Sequence, residues 1–136
     1  MKPASKMRDF DSWNASLRNF EWLGEIVPGA MDVDMLIERR GRFLVLEGKP
    51  WKGTAGVSVP FGQYLALEAL AALDPFDVYI IGEAPQSDSL YRCKVGDRKP
   101  MMNRTGPVRF PPRRFERASK EGLALFVKDW WEGAGA

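Results

Sequence analysis

The chain has 136 residues, 45% hydrophobic and 28% charged, which is enough for one globular domain with its own core. It contains no histidine, which excludes a Ser-His-Asp triad, a histidine general base and any histidine-containing metal site. A single cysteine, Cys93, excludes a disulfide framework and multi-cysteine metal sites, and it is typical of a reducing compartment. Any chemistry must therefore use carboxylates, lysine, hydroxyl groups or the backbone.

The first half of the chain predicts a helix followed by a β-hairpin. Residues 11–23 begin with a polar cap and repeat apolar side chains at helical spacing. Residues 31–38 and 43–49 are predicted strands, and the Arg-Arg-Gly-Arg sequence at 39–42 is typical of the turn between them. Gly41 can supply the positive φ that such a turn requires.

The second half predicts two helices and two strands. A helix is expected over residues 60–73, with Pro60 in its first turn, and a buried strand over 77–82. A further strand is predicted over 90–95, a basic extended loop over 108–114 and a final helix over about 115–130. This order predicts a single small α/β domain, residues 1–136, whose central mixed sheet carries a β-hairpin flanked by helices. Its C-terminal part, about residues 92–131, is a basic loop and a helix.

Pairing around Arg40 and Gly41 places acidic residues opposite one another in the hairpin. Asp34 falls opposite Glu47, and Asp32 falls opposite Lys49, all on one face because side chains alternate along strands. The alternate residues are expected to form the core: Val33, Met35, Leu44 and Leu46. Opposed carboxylates repel, so a bound Mg²⁺ or Mn²⁺ would explain the pair, although a merely solvated polar face gives the same pattern.

Positive charge is concentrated in the last third of the chain. Residues 92–120 contain ten lysines and arginines but two acidic residues, whereas residues 1–91 carry a net negative charge. The segregation predicts a polyanionic partner, although a solvated basic face would look the same. No apolar run is long enough to span a membrane, and the N-terminal residues lack the apolar core of a signal peptide. We therefore expect a cytoplasmic protein without a membrane partner.

One acidic pattern runs through residues 29–34, Gly-Ala-Met-Asp-Val-Asp, and residues 40–49, Arg-Gly-Arg-Phe-Leu-Val-Leu-Glu-Gly-Lys. It resembles the core hairpin of the PD-(D/E)XK nuclease superfamily, nearest the RecB-like and phage-exonuclease branch. Asp34 matches the first acid of the family motif, Glu47 the second acid and Lys49 the lysine. Two departures are a valine at the usual proline position before Asp34 and the additional acid Asp32.

The resemblance implies a restriction-endonuclease-like core and a Mg²⁺-dependent deoxyribonuclease, with Mn²⁺ as a substitute. It also implies an Asp…Glu-X-Lys site that hydrolyses phosphodiester bonds. The metal ligands so implied are Asp34, Glu47 and the backbone carbonyl of Gly48, with Asp32 as an alternative. Lys49 would orient the attacking water or stabilise phosphate charge, and Gln63, near the start of the following helix, would position water or a phosphate oxygen. In the RecB-like branch a tyrosine usually follows this glutamine four residues later. Here that position is Leu67, and the tyrosine is the adjacent Tyr64.

The expected partner is DNA, and association of the chain with a second copy is left open. The candidate phosphate-binding residues are Lys52, Arg104, Arg109, Arg113 and Arg114. Phe110 and Phe115 lie among these arginines and could stack on bases or anchor the loop to the core. The alternative function is a catalytically silent nuclease-like module that binds nucleic acid or a host protein. Endonuclease or exonuclease action, and DNA or RNA as substrate, are also left open.

Overall fold

A computed structural model describes residues 26, 33–84, 87–97 and 106–135 of the chain. From residue 33 onward, these belong to one compact unit, Asp32–Ala136. The predicted N-terminal helix over 11–23 and the candidate residues Asp32 and Arg104 lie outside the described residues. The structural account below therefore concerns the unit from residue 33 onward.

The described residues form a mixed α/β fold with a five-stranded sheet, a two-stranded sheet and two helices. The strands of the larger sheet, in spatial order, are β1 (Met35–Arg39), β2 (Arg42–Pro50), β4 (Phe76–Glu83), β5 (Leu90–Lys94) and β7 (Glu116–Ala118). The smaller sheet pairs β3 (Val57–Val59) with β6 (Val108–Phe110). The helices are α1 (Phe61–Ala71) and α2 (Lys120–Gly135).

The hairpin turn between β1 and β2 has the backbone geometry that its sequence predicts. Arg40 and Gly41 have φ values of 52° and 82°, and positive φ at both central residues is characteristic of a type I′ turn. The Gly41 N–H also donates to the Glu38 carboxylate at 2.9 Å. The resulting register pairs Arg39 with Arg42 and continues to the far end of β1, which confirms the predicted pairing.

A β2–α1–β4 unit forms the centre of the large sheet. Parallel strands need a long crossover, and α1 supplies it, starting directly after Pro60, whose φ of −53° suits a helix start. Because the two strands run in parallel, their C-terminal ends meet: Lys49 pairs with Gly82 and Pro50 with Glu83. The end of β2 therefore lies beside the end of β4.

Both faces of the sheet contribute to the core, so the prediction of one apolar core face is wrong. Leu44 and Val45 point to opposite faces, and both are fully buried. Val33 and Met35 remain 44% and 47% exposed, because they belong to the open edge of the sheet at β1. A central strand covered on both faces is apolar throughout rather than alternating.

Helix α2 covers the face that carries Tyr79. The Phe126 ring packs edge-on against Tyr79, with 4.8 Å between ring centroids. The Trp130 indole N–H donates to the Asp77 carboxylate at 2.8 Å, which assigns this tryptophan to the packing against the sheet. Leu125, in the same helix, is 60% exposed.

Two short strands differ from the sequence prediction. Residues 108–110 form β6 rather than an extended loop, and they pair with β3. Residues 116–118 form β7 at the edge of the large sheet, so the final helix begins at Lys120 rather than near residue 115. Neither of the helices in the described part of the chain is long and apolar enough to cross a membrane.

Candidate active site

Two carboxylates meet where the hairpin ends. Asp34 directly precedes β1, and Glu47 directly follows Leu46, which pairs with Met35 at the start of β1. Asp34 and Glu47 are therefore the next pair in register. The Asp34 N–H donates to Glu47 Oε1 at 3.3 Å, and the Gly48 N–H donates to Asp34 Oδ2 at 2.8 Å. Each acid is thus held by the backbone of the opposite chain segment. The structure brings together the two acids that the sequence paired.

Glu47 is the buried member of this pair. It is 3% exposed and is the buried charged residue of the core, on the same face as Val45. The pKa of Glu47 is raised to about 7, mainly by burial and also by the side-chain hydrogen bond and negative charge of Asp34, while the Asp34 backbone hydrogen bond and the charge of Lys49 oppose the shift. Near neutral pH the Glu47 carboxyl is therefore partly protonated in the absence of a cation.

Lys49 and Gln63 form the second half of the site. Lys49 lies two residues after Glu47 on the same strand, so both side chains project from one face of the sheet. The Lys49 ammonium donates to Gln63 Oε1 at 2.5 Å. Gln63 is the third residue of α1, and the crossover therefore brings the first turn of this helix against the end of β2. The four residues to which the family resemblance gives a catalytic role therefore lie together: Asp34, Glu47, Lys49 and Gln63.

A third acid, Glu83, approaches the same point and was missed in the sequence analysis. A Cβ atom placed on Gly48 would lie 3.4 Å from both Asp34 Oδ2 and Glu83 Oε1, so the two carboxylates flank this glycine. Glu83 is the last residue of β4 and pairs with Pro50. The signal for it was the parallel crossover, since consecutive parallel strands bring their C-terminal ends to the same edge.

This site presents oxygen donors. Its donors are carboxylate and carbonyl oxygens, which suit Mg²⁺ or Mn²⁺ and not Zn²⁺. Over the described ranges, no lysine or arginine forms an ion pair with Asp34, Glu47 or Glu83. Within those same ranges, no three His, Cys, Asp or Glu side chains are grouped to hold a metal ion. Mg²⁺ commonly takes one or two protein carboxylates and completes its shell with water and substrate phosphate, so two acids suffice.

An aromatic cluster supports the chain just beyond the site. Trp51 stacks on Tyr91 with ring centroids 3.7 Å apart, and Phe115 packs edge-on against Trp51 at 5.1 Å. A Cβ atom on Gly82 would lie 2.8 Å from the Trp51 ring, so only glycine leaves room for this packing. The Trp51 N–H also donates to the Glu83 carbonyl at 2.9 Å. The cluster fixes the backbone between Lys49 and Trp51.

The candidate phosphate-binding residues within the described ranges lie on neighbouring segments of the chain. Lys52 is exposed and precedes the 3-10 turn Gly53–Ala55, which packs against a second 3-10 turn, Pro112–Arg114. The second turn carries Arg113 and Arg114, and Arg109 is exposed on the preceding strand β6. The first turn follows directly on the strand end that carries Lys49.

The two phenylalanines among these arginines are structural. Phe110 is 1% exposed and packs against Tyr64 of α1 at 6.0 Å between ring centroids, so the suggestion that it stacks on bases is wrong. Phe115 belongs to the aromatic cluster with Trp51, as the anchoring interpretation predicts. The connecting loop is therefore pinned to the domain on both sides of its arginines.

Comparison of the chain with protein-family models, curated proteins and solved structures finds no match. The geometry of these residues is therefore the basis on which a function can be proposed.

Proposed function

We propose that this protein is a metal-dependent nuclease of the PD-(D/E)XK type, with a restriction-endonuclease-like core, that hydrolyses phosphodiester bonds in DNA. The observation that carries the proposal is the paired placement of Asp34 and a buried Glu47 beside Lys49. A buried acid next to a second acid is unfavourable without a cation, so its presence in a domain of this size favours a functional site.

Asp34, Glu47 and the Gly48 carbonyl are the proposed ligands of a Mg²⁺ or Mn²⁺ ion. When bound, such an ion would supply Lewis-acid chemistry for the scissile phosphate and for the activation of a water molecule. Lys49 contributes a fixed positive charge that stabilises the negative charge developing on the phosphate oxygens. Its hydrogen bond to Gln63 holds the ammonium in place and leaves the Gln63 amide group to orient water or a phosphate oxygen.

The basic side chains of this region, which are exposed or half-buried, would bind the DNA backbone. Lys52 follows the catalytic strand by a few residues, and Arg109, Arg113 and Arg114 lie on the segments that pack beside it. Such contacts neutralise phosphates and release counterions, so binding should weaken steeply as salt rises. They carry no base specificity of their own.

Cleavage assays on plasmid, linear and branched DNA with Mg²⁺ or Mn²⁺ test the proposal. Glu47→Gln and Lys49→Gln should each reduce the cleavage rate by about 10²–10³-fold. Matched controls are Glu132→Gln and Lys128→Gln, which remove the same charges from the exposed face of α2 and should cut at the wild-type rate.

A wild-type protein that cuts none of these substrates, or catalytic variants that cut like their controls, would overturn the assignment. DNA binding in EDTA, together with no cleavage of any substrate in Mg²⁺ or Mn²⁺, would instead identify a silent nuclease-like binding module.

A further inference from the structure

A cavity of about 290 Å³ opens at the sheet edge where β5 meets the turn Pro112–Arg114. Its walls include Arg113 and Arg114 from the turn, Lys94 from β5 and the Phe115 ring, and the buried Cys93 lies among them. None of the catalytic residues lines it. The cavity is therefore separate from the carboxylate site.

The turn that presents the two arginines is rigid. Pro111 is fully buried, and prolines at 111 and 112 fix two successive φ angles. The Arg114 N–H donates to the Pro111 carbonyl at 3.0 Å, and Phe115 N–H donates to Pro112 at the same distance. Because the backbone of this turn is already ordered, the binding of a ligand would cost little conformational entropy.

The same turn is pinned from the other side by Gly56. A Cβ atom there would overlap the carbonyl oxygen of Phe110 and lie 3.1 Å from the nitrogen of Pro112. Gly56 also has a φ of 70°, which favours glycine. The loop that carries Lys52 and the turn that carries the arginines are thus locked together.

The positive charges of the two arginines in the cavity wall are not neutralised by neighbouring acidic side chains of the described residues. The side chains of Arg113 and Arg114 make no hydrogen bond or ion pair within the described residues. Glu116 also lines the cavity, but Arg92 holds it at 2.6 Å. The remaining acid is Asp97.

The electrostatic influence on Cys93 shows which charge dominates. Burial raises the pKa of the Cys93 thiol to about 11, Arg114 lowers it and Asp97 raises it, with the effect of Arg114 larger than that of Asp97. The arginine therefore outweighs the acid at this wall of the cavity. Two adjacent unpaired guanidinium groups repel each other and favour a bound anion between them.

We propose that this cavity binds a phosphate group of the nucleic-acid strand whose cleavage the carboxylate site would catalyse. The inference rests on the proposed function for the identity of the strand. Cys93 is level with Glu47 in the sheet, two strands away through Ile80, which is a separation of about 10 Å. The phosphate would be either a strand end or an internal phosphodiester.

Calorimetric titration in EDTA tests binding without any hydrolysis. The probes are inorganic phosphate and short oligothymidylates that carry a 5′-phosphate, a 3′-phosphate or hydroxyl groups at both ends. The double variant Arg113→Gln/Arg114→Gln should bind the preferred oligonucleotide at least about tenfold more weakly. Its slope of log K against log salt should be shallower by about 0.7, the value for the loss of one neutralised phosphate of a single strand.

Two further variants separate the cavity from general positive charge. Arg117→Gln removes one charge from β7, where the guanidinium donates to Ser89 Oγ at 3.0–3.1 Å outside the cavity, and it should bind within about twofold of wild type. Asp97→Asn removes the opposing acid and should tighten binding severalfold, a gain that misfolding cannot produce.

The three oligonucleotides distinguish the two phosphate sources. If the cavity takes a strand end, the arginine variant removes the advantage of one terminal phosphate. If it takes an internal phosphodiester, the variant weakens all three probes alike. The proposal fails if the double variant binds all probes no more weakly than Arg117→Gln, or if Asp97→Asn changes nothing. Glu47→Gln should keep this binding, so failure of the nuclease assignment and failure of the cavity are separate results.

Discussion

Replacing Glu47 by glutamine should stabilise the metal-free protein at alkaline pH. The pKa of Glu47 rises from 4.5 to about 7 in the fold, and each pKa unit corresponds to about 1.4 kcal/mol. The folded state therefore binds this proton more tightly than the unfolded chain does. The free energy of unfolding should fall as pH rises from about 4.5 to about 7, and it should remain low above that range.

The size of the effect follows from the same difference in pKa. Full ionisation of Glu47 would destabilise the fold by about 3 kcal/mol, and solvent around the exposed Asp34 reduces this to about 1–3 kcal/mol. Glu47→Gln keeps the shape of the side chain and removes the charge. At about pH 8 the variant should unfold about 3–10 °C higher than wild type, and at about pH 4.5 the two should coincide.

Urea and thermal unfolding in EDTA across this pH range measure the difference, with the exposed Glu132→Gln as the control that should follow wild type. Addition of Mg²⁺ should raise the stability of wild type through binding to the folded state and should leave Glu47→Gln unchanged. A wild-type stability that does not change between about pH 4.5 and 8, or a variant less stable than wild type at pH 8, would refute the argument that Glu47 is held unfavourably charged.

Three other changes test the supporting geometry. Gly82→Ala should destabilise the fold by about 1–3 kcal/mol and shift the tryptophan fluorescence, because the new methyl group meets the Trp51 ring; unchanged unfolding and emission would contradict this. Arg40→Asn should raise the free energy of unfolding by about 0.5–1 kcal/mol, because asparagine tolerates the positive φ better. The urea midpoint should rise accordingly, and a lower midpoint would contradict the assigned turn geometry. Glu83→Gln should weaken Mg²⁺ binding severalfold in calorimetry without altering metal-free unfolding, whereas an unchanged affinity would separate this acid, which approaches Gly48, from the site.

The hairpin and its acid pair could be predicted because local chemistry determines both. Gly41 permits the type I′ turn, the turn fixes the register, and the period of two then assigns Asp34 and Glu47 to one face. Helix α1 was predictable for similar local reasons, since Pro60 precedes an apolar run of helical length. In these segments local and long-range preferences agree.

The missed elements are those whose conformation depends on distant partners. Strands β3 and β6 have three residues each, and neither has enough alternation to indicate a strand until the other lies beside it. Residues 116–118 lie within the range predicted for the final helix. The turn Pro112–Arg114 instead places them along the free edge of β5, where they pair as a strand. Edge pairing satisfies backbone groups there, and the helix begins only at Lys120.

Glu83 depends on a distant partner for its position, but that position could still have been predicted. Its position could have been derived from the predicted elements, because a strand, a helix and a second buried strand form a crossover whose parallel strands end together. The residue that follows the buried strand must then lie near Lys49, and in this chain that residue is acidic. Acidic side chains thus approach Gly48 from β4 and from the segment before β1, although these segments are far apart in the sequence. Topology, more than any single motif, concentrates negative charge where a cation is proposed to bind.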